Sequence, residues 1–267
     1  MEKKKEKSRR GRRVALVGCD NLSPYAVNSL LNSSELDELV LVGELPEGLI
    51  DELKDLSSAE GAGKSRRYWV GTISDAARAD VVVVGAEMGC RGGEIRQVKE
   101  SEWVGGTAQR LRELGFDGVC LVTVEPIQAM LSAAVEGNLP ARKVIGLGGS
   151  PNGVMSPSCE SSVWCTGTQS DVQFMDFCDP MCPYFREVSQ GARNARKSTG
   201  SKIGDVAICV TSVCEAILST RLSLIPIWAT GSDGMVRHTR RIVGKGDIFL
   251  GATFEPGKIK NDPAEVL

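Results

Sequence analysis

His238 is the only histidine in 267 residues, and it lies in the basic run Arg237-His-Thr-Arg240-Arg241. Imidazole is the usual proton carrier in catalysis because its pKa sits near working pH. This chain therefore has a single candidate of that kind, and its cationic neighbours read better as a solvated or structural site. The nine cysteines (19, 90, 120, 159, 165, 178, 182, 209 and 214) are odd in number and form no Cys-x-x-Cys. Cys178 and Cys182 are separated by three residues with His238 far away, so no metal site is expected. Several thiols sit in apolar runs such as Val119-Cys-Leu-Val122 and Ile208-Cys-Val210, where cysteine behaves as a small hydrophobe. Such usage points to a reducing, cytoplasmic compartment. Gly63-Lys64-Ser65 ends like a phosphate-binding loop, but Ser58 replaces the first glycine and the stretch before it reads helical, so a plain loop is expected.

Charge narrows the partners. The net charge is −2 and the pI near 5.7, which argues against a dedicated nucleic-acid binder. Residues 1–13 nevertheless hold eight Lys or Arg against Glu2 and Glu6, leaving the remainder at −8. A solvated basic tail over residues 1–12 is the expected reading, although contact with nucleic acid or an acidic membrane is the alternative. Arg193 to Lys202 and Arg237 to Lys245 are expected as solvent-facing charge on helix faces. The four tryptophans (69, 103, 164 and 228) are too scattered for a stacking platform. No run approaches the roughly 18 apolar residues of a membrane span, and the charged start does not read as a signal peptide.

The elements that must position any site alternate regularly through the first half. Arg13–Gly18, Glu38–Gly43, Arg67–Thr72, Asp80–Gly85, Val119–Thr123 and Val144–Gly146 are short β-branched apolar runs, as buried strands are. Between them, Ser23–Asn32, Pro46–Leu56, Glu94–Leu114 and Pro126–Glu136 carry helical patterns. Ser23 and Pro24 form a helix start, and Gly105-Gly106 is expected to weaken or kink the long helix. Strands alternating with helices mean a parallel sheet with right-handed crossovers. Residues 13–148 therefore predict an α/β, Rossmann-like doubly wound domain, and 149–267 a smaller α+β domain. In the latter, helices are expected at Pro183–Lys197 and Ile203–Ser219, and strands at Leu222–Trp228 and Ile248–Phe254.

The order of elements, together with Arg13–Gly18, Glu38–Gly43, Arg91-Gly-Gly-Glu-Ile-Arg96, Arg142-Lys-Val-Ile-Gly146 and Gly191–Ser219, resembles the lactate/malate dehydrogenase superfamily. The likeness runs from Arg12 through nearly the whole chain and is better in the first 150 residues. It implies NAD or NADP across the carboxyl ends of the strands, a small 2-hydroxy or 2-oxo acid beside it, no metal, and assembly into homo-oligomers or hetero-oligomers with related subunits. The motifs depart from the family at specific places. Where a Gly-x-Gly-x-x-Gly fingerprint is needed, the chain has Gly18-Cys-Asp20-Asn-Leu-Ser23. Asp20 sets a carboxylate where phosphate charge would lie, a repulsion of roughly 1–4 kcal/mol at effective dielectrics of 80 to 20. It can instead cap the helix's own free N–H groups. The ribose-binding acid aligns with Gly43, with Glu44 next to it as a substitute.

The family's catalytic histidine, in a Gly-x-His-Gly-Asp segment, aligns with Gln169 in Gly167-Thr-Gln-Ser-Asp171. An amide neither gives nor accepts a proton in the useful range, which forfeits a factor of about 10²–10⁴. The aspartate that orients the histidine aligns with Asn152, and the arginine that grips the substrate carboxylate aligns with Met155, which offers no charged fork. The Asn of the family's Asn-Pro pair becomes Glu125 before Pro126. Arg96 matches the mobile-loop arginine that polarises the carbonyl, with Cys90 and Arg91 near the specificity position. Arg96 reads equally well as a surface helix residue. Too few residues separate Met155 from Gly167 for the helix and strand the family has there. The expectation is a dehydrogenase-like pseudoenzyme with a binding, regulatory or structural role. The alternative is an active NAD(P)-dependent oxidoreductase acting on a 2-hydroxy acid such as malate or lactate, with Glu125 as acid–base group.

Overall fold

The computed structural model describes residues 12–18, 23–45, 48–51, 67–85, 93–147, 152–155, 162–167, 172–175, 203–231, 233–249, 254–255 and 258–259. Six short parallel strands carry the first half: β1 (Arg13–Val17), β2 (Glu38–Val42), β3 (Arg67–Val70), β4 (Val81–Val84), β5 (Val119–Val122) and β6 (Val144–Gly146). Helices α1 (Ser23–Leu31), α2 (Ile73–Ala76), α3 (Gly93–Glu113) and α4 (Ile127–Glu136) lie between them. The four central strands must hide both faces, which is why they read as unbroken apolar runs rather than alternating ones. Val14 and Leu16 of β1 and Val81 and Val83 of β4 enter one core, while Ala15, Val17, Val82 and Val84 enter the other.

The first core is closed by α1 and by α5 (Ile203–Leu218), through Val27, Leu30, Val210 and Cys214. The second is closed by α2, α3 and α4, through Ala76, Val104, Leu111, Met130 and Leu131. Burial pushes the Cys120 thiol, on β5 in this second core, up to about 12, so the buried cysteines behave as apolar side chains.

The sheet does not stop at β6. Strands β10 (Ser223–Thr230), β11 (Val236–Gly244) and β12 (Asp247–Phe249) continue it antiparallel, giving nine strands in the order β12-β11-β10-β6-β5-β4-β1-β2-β3. The division expected near residue 148 is thus crossed by the sheet itself. Between the two parts, β7 (Asn152–Met155), β8 (Ser162–Gly167) and β9 (Val172–Met175) form a separate three-stranded antiparallel sheet. Residues 254–255 (β13) and 258–259 (β14) pair as a small hairpin.

Two expectations are corrected. The basic stretch Arg237 to Lys245 is no helix face: most of it is β11, with Arg241 buried. Closely spaced cations conceal the β pattern of Val236, Ile242 and Val243. Gly105-Gly106 does not interrupt α3, which runs as one helix from Gly93 to Glu113. Gly105 instead lets α3 and α4 approach closely, while Gly106 faces open space. A Cβ on Gly105 would lie 3.3 Å from the Ala133 carbonyl oxygen, and one on Gly137 only 2.5 Å from that of Gly105. The expected helix at Pro183–Lys197, the basic stretch before residue 203, the loop at Ser58–Ser65 and the tail at 1–11 lie outside the described residues. Among the described residues no helix is long and apolar enough to cross a membrane.

Charge gathers at the amino edge of the sheet. Buried Glu38 receives Arg13 Nε at 2.7 Å, and Arg67 Nη2 lies 2.5 Å from its other oxygen. The Arg13 guanidinium also lies 5.0 Å from the Trp69 ring centroid. Next to it, Arg12 Nε donates to Asp37 at 3.2 Å, and this pairing raises the Arg12 pKa above its ordinary value. Before β6, Lys143 Nζ donates to the Asp117 carbonyl and, at 3.0 Å, to its carboxylate, holding that carboxyl below its usual range.

Glu38→Gln leaves Arg13 and Arg67 facing a neutral amide, and because Arg13 is largely buried the loss is expected at about 2–3 kcal/mol. A fall in the urea midpoint at unchanged m-value reports it; an unmoved midpoint contradicts the assignment. Gly137→Ala at φ −71° carries no backbone strain, yet its methyl group meets the Gly105 carbonyl. It should cost about 1–3 kcal/mol as an overpacked contact, where a free surface glycine would have gained stability from alanine.

Candidate functional site at the carboxyl edge

The carboxyl ends of the parallel strands form one register row, which continues within β10 and β11. Val42, Val17, Val84, Val122, Gly146, Trp228 and His238 are successive cross-strand partners across β2, β1, β4, β5, β6, β10 and β11. Beyond this row lie Gly18, Gly43, Gly85, Thr123 to Glu125 and Leu147, stitched together by backbone bonds. Gly18 N donates to Val42 O at 3.0 Å, Gly85 N to Val17 O, Thr123 N to Val84 O and Leu147 N to Val122 O, each of these three at 2.9 Å. The chain passes from β1 to β2 on one side and from β4 to β5 on the other. The gap between the ends of β1 and β4 is therefore the topological switch point, where open α/β sheets hold ligands.

Among the described residues, the Trp103 side chain reaches into that gap. Trp103 projects from α3 and donates its indole N–H to Gly85 O at 3.0 Å, closing on the end of β4. Gly18 turns through φ +62°, and a Cβ built there would stand 2.7 Å from Trp103 Cζ2. The indole thus lies against bare backbone at the end of β1 and is tied to the end of β4. One helical turn earlier, Glu100 is 2% exposed. Neither residue was singled out from the sequence. Trp103 and Glu100 fall on the sheet-facing stripe with Val104, Thr107, Ala108 and Leu111, all buried apart from the half-buried Trp103. A carboxylate and an indole on an apolar stripe were the available signal.

The residues expected from the sequence are placed unevenly. Gly18, Gly43 and Glu125 come together along this edge; Gly43 has φ +117° and Glu44 beyond it is exposed. Asp20 lies outside the described residues, and Ser23 is placed as the first residue of α1. Glu125 is half-buried just past β5, and its peptide bond to Pro126 is cis. Arg96 is placed on α3, seven residues before Trp103 and so about 10 Å further along the helix axis; Cys90 and Arg91 lie outside the described residues.

Asn152 and Met155 are the first and last residues of β7, paired with Cys165 and Ser162 of β8. On a strand, residues three apart are separated by about 10 Å, whereas one helical turn would bring them onto one face. Gln169 follows β8 in the sequence and lies outside the described residues. His238 stands on β11 opposite Trp228. Among the described residues no group of three or more His, Cys, Asp or Glu is placed to hold a metal ion.

No protein-family model matches the chain. Among curated proteins it is 26% identical over 265 residues to L-lactate dehydrogenase 2 of Lactobacillus johnsonii, a match covering 84% of this chain and 83% of that protein. It is 29% identical over 147 residues to L-lactate dehydrogenase 1 of Peribacillus psychrosaccharolyticus, covering 53% of this chain and 46% of that protein, so this second match spans about half of the relative's length. Among solved structures, the lactate dehydrogenase MGS-M5 from a deep-sea metagenome superposes with a TM-score of 0.74 at 16% identity, covering 96% of this chain and 94% of the other. The strand order β3-β2-β1-β4-β5-β6, the switch point between β1 and β4, and these likenesses agree: the chain has the fold of the lactate dehydrogenases and is similar to them in sequence over most of its length.

Proposed function

We propose that this chain is a lactate dehydrogenase-like scaffold that does not carry out the family reaction and acts by binding. The carrying observation is the fate of the proton. Reducing a 2-oxo acid requires a group that delivers H⁺ to the carbonyl oxygen as hydride arrives. Gln169 stands at the family's histidine position and is unable to do so. The only histidine, His238, is on β11, three strand spacings or about 14 Å from the end of β5 in the same register row. The orienting carboxylate and the carboxylate clamp are replaced by Asn152 and Met155, which share a short strand.

NAD or NADP is the cofactor such a fold implies, and the residues present fit it poorly. Asp20 stands at the middle-glycine position, where a pyrophosphate would approach bare backbone, and sets a carboxylate there instead. Glu44 and Glu125 add acids along the edge, against an anionic ligand. A small carboxylate is retained as a ligand class only through Arg96. Assembly with identical or related subunits in the cytoplasm completes the reading, which involves neither metal, membrane nor nucleic acid. Purified protein incubated with NADH or NADPH and a panel of 2-oxo acids should show no oxidation above the blank. Turnover that copurifies with the protein through successive columns would overturn the proposal.

A second reading has one observation in its favour. Glu125 is half-buried just past β5 at the carboxyl edge, and a carboxyl group is among the side chains that serve as general acid. An active oxidoreductase on a 2-hydroxy acid such as malate or lactate would then use Glu125 for the proton and Arg96 for the carbonyl. On this reading Glu125→Gln lowers kcat by about 10²-fold or more and flattens its pH profile; an unchanged rate refutes it.

A further inference from the structure

We draw no further inference here: the strongest candidate, the apolar surface patch formed by exposed Tyr25 on α1 and exposed Ile208 on α5, carries nothing because no observation in the structure shows what covers it.

Discussion

A parallel sheet whose central strands are apolar on both sides can be stable only when helices cover both faces, and this condition organises the rest of the molecule. Val14 and Leu16 look into a core closed by α1 and α5; Ala15 and Val17 look into one closed by α2, α3 and α4. Once both faces are sealed, the backbone is approachable only at the two edges. The amino edge is filled by ion pairs around Glu38 and by Lys143 on Asp117. That leaves the carboxyl edge for recognition, and whatever occupies its switch point decides what the protein can bind.

Much of the first half was legible because burial on both faces leaves a strong local signature. Asp80-Val-Val-Val-Val-Gly85 needs no context to be read as a strand, and β1, β2, β4, β5 and β6 match their apolar runs within a residue or two. The helix at Ile203–Leu218 was equally plain. What escaped has a common cause. Strand β11 lies near the open edge of the sheet, where one side can face water, so Arg237, Arg240 and Arg241 are tolerated and the β pattern is diluted. The glycines of α3 were read by their intrinsic helix cost, which is a local quantity. The role of Gly105 is set by α4, about thirty residues away, and no property of α3 alone reveals it.

The site was legible in a different sense. Residue types alone say what a side chain can do: an amide at position 169 has no useful proton whatever its surroundings. They do not say what the fold brings next to it. Trp103 was one of four scattered indoles until the fold set it between Gly18 and Gly85. Asn152 and Met155 lie three residues apart, a spacing that suggests a shared helical face, but their segment is a strand paired with β8. A motif carried over by alignment is only as good as the secondary structure assumed beneath it.

The contacts around Trp103 depend on side chains that are missing as much as on those that are present. Close approach of α3 to α4 is tightest where Gly137 meets the Gly105 carbonyl, two residues beyond Trp103. Gly18 in a left-handed turn lets the ring come down to the backbone, where any larger residue would hold it off. Glycine at this position takes the left-handed bend without strain, and the same missing Cβ admits an indole from the protein's own helix.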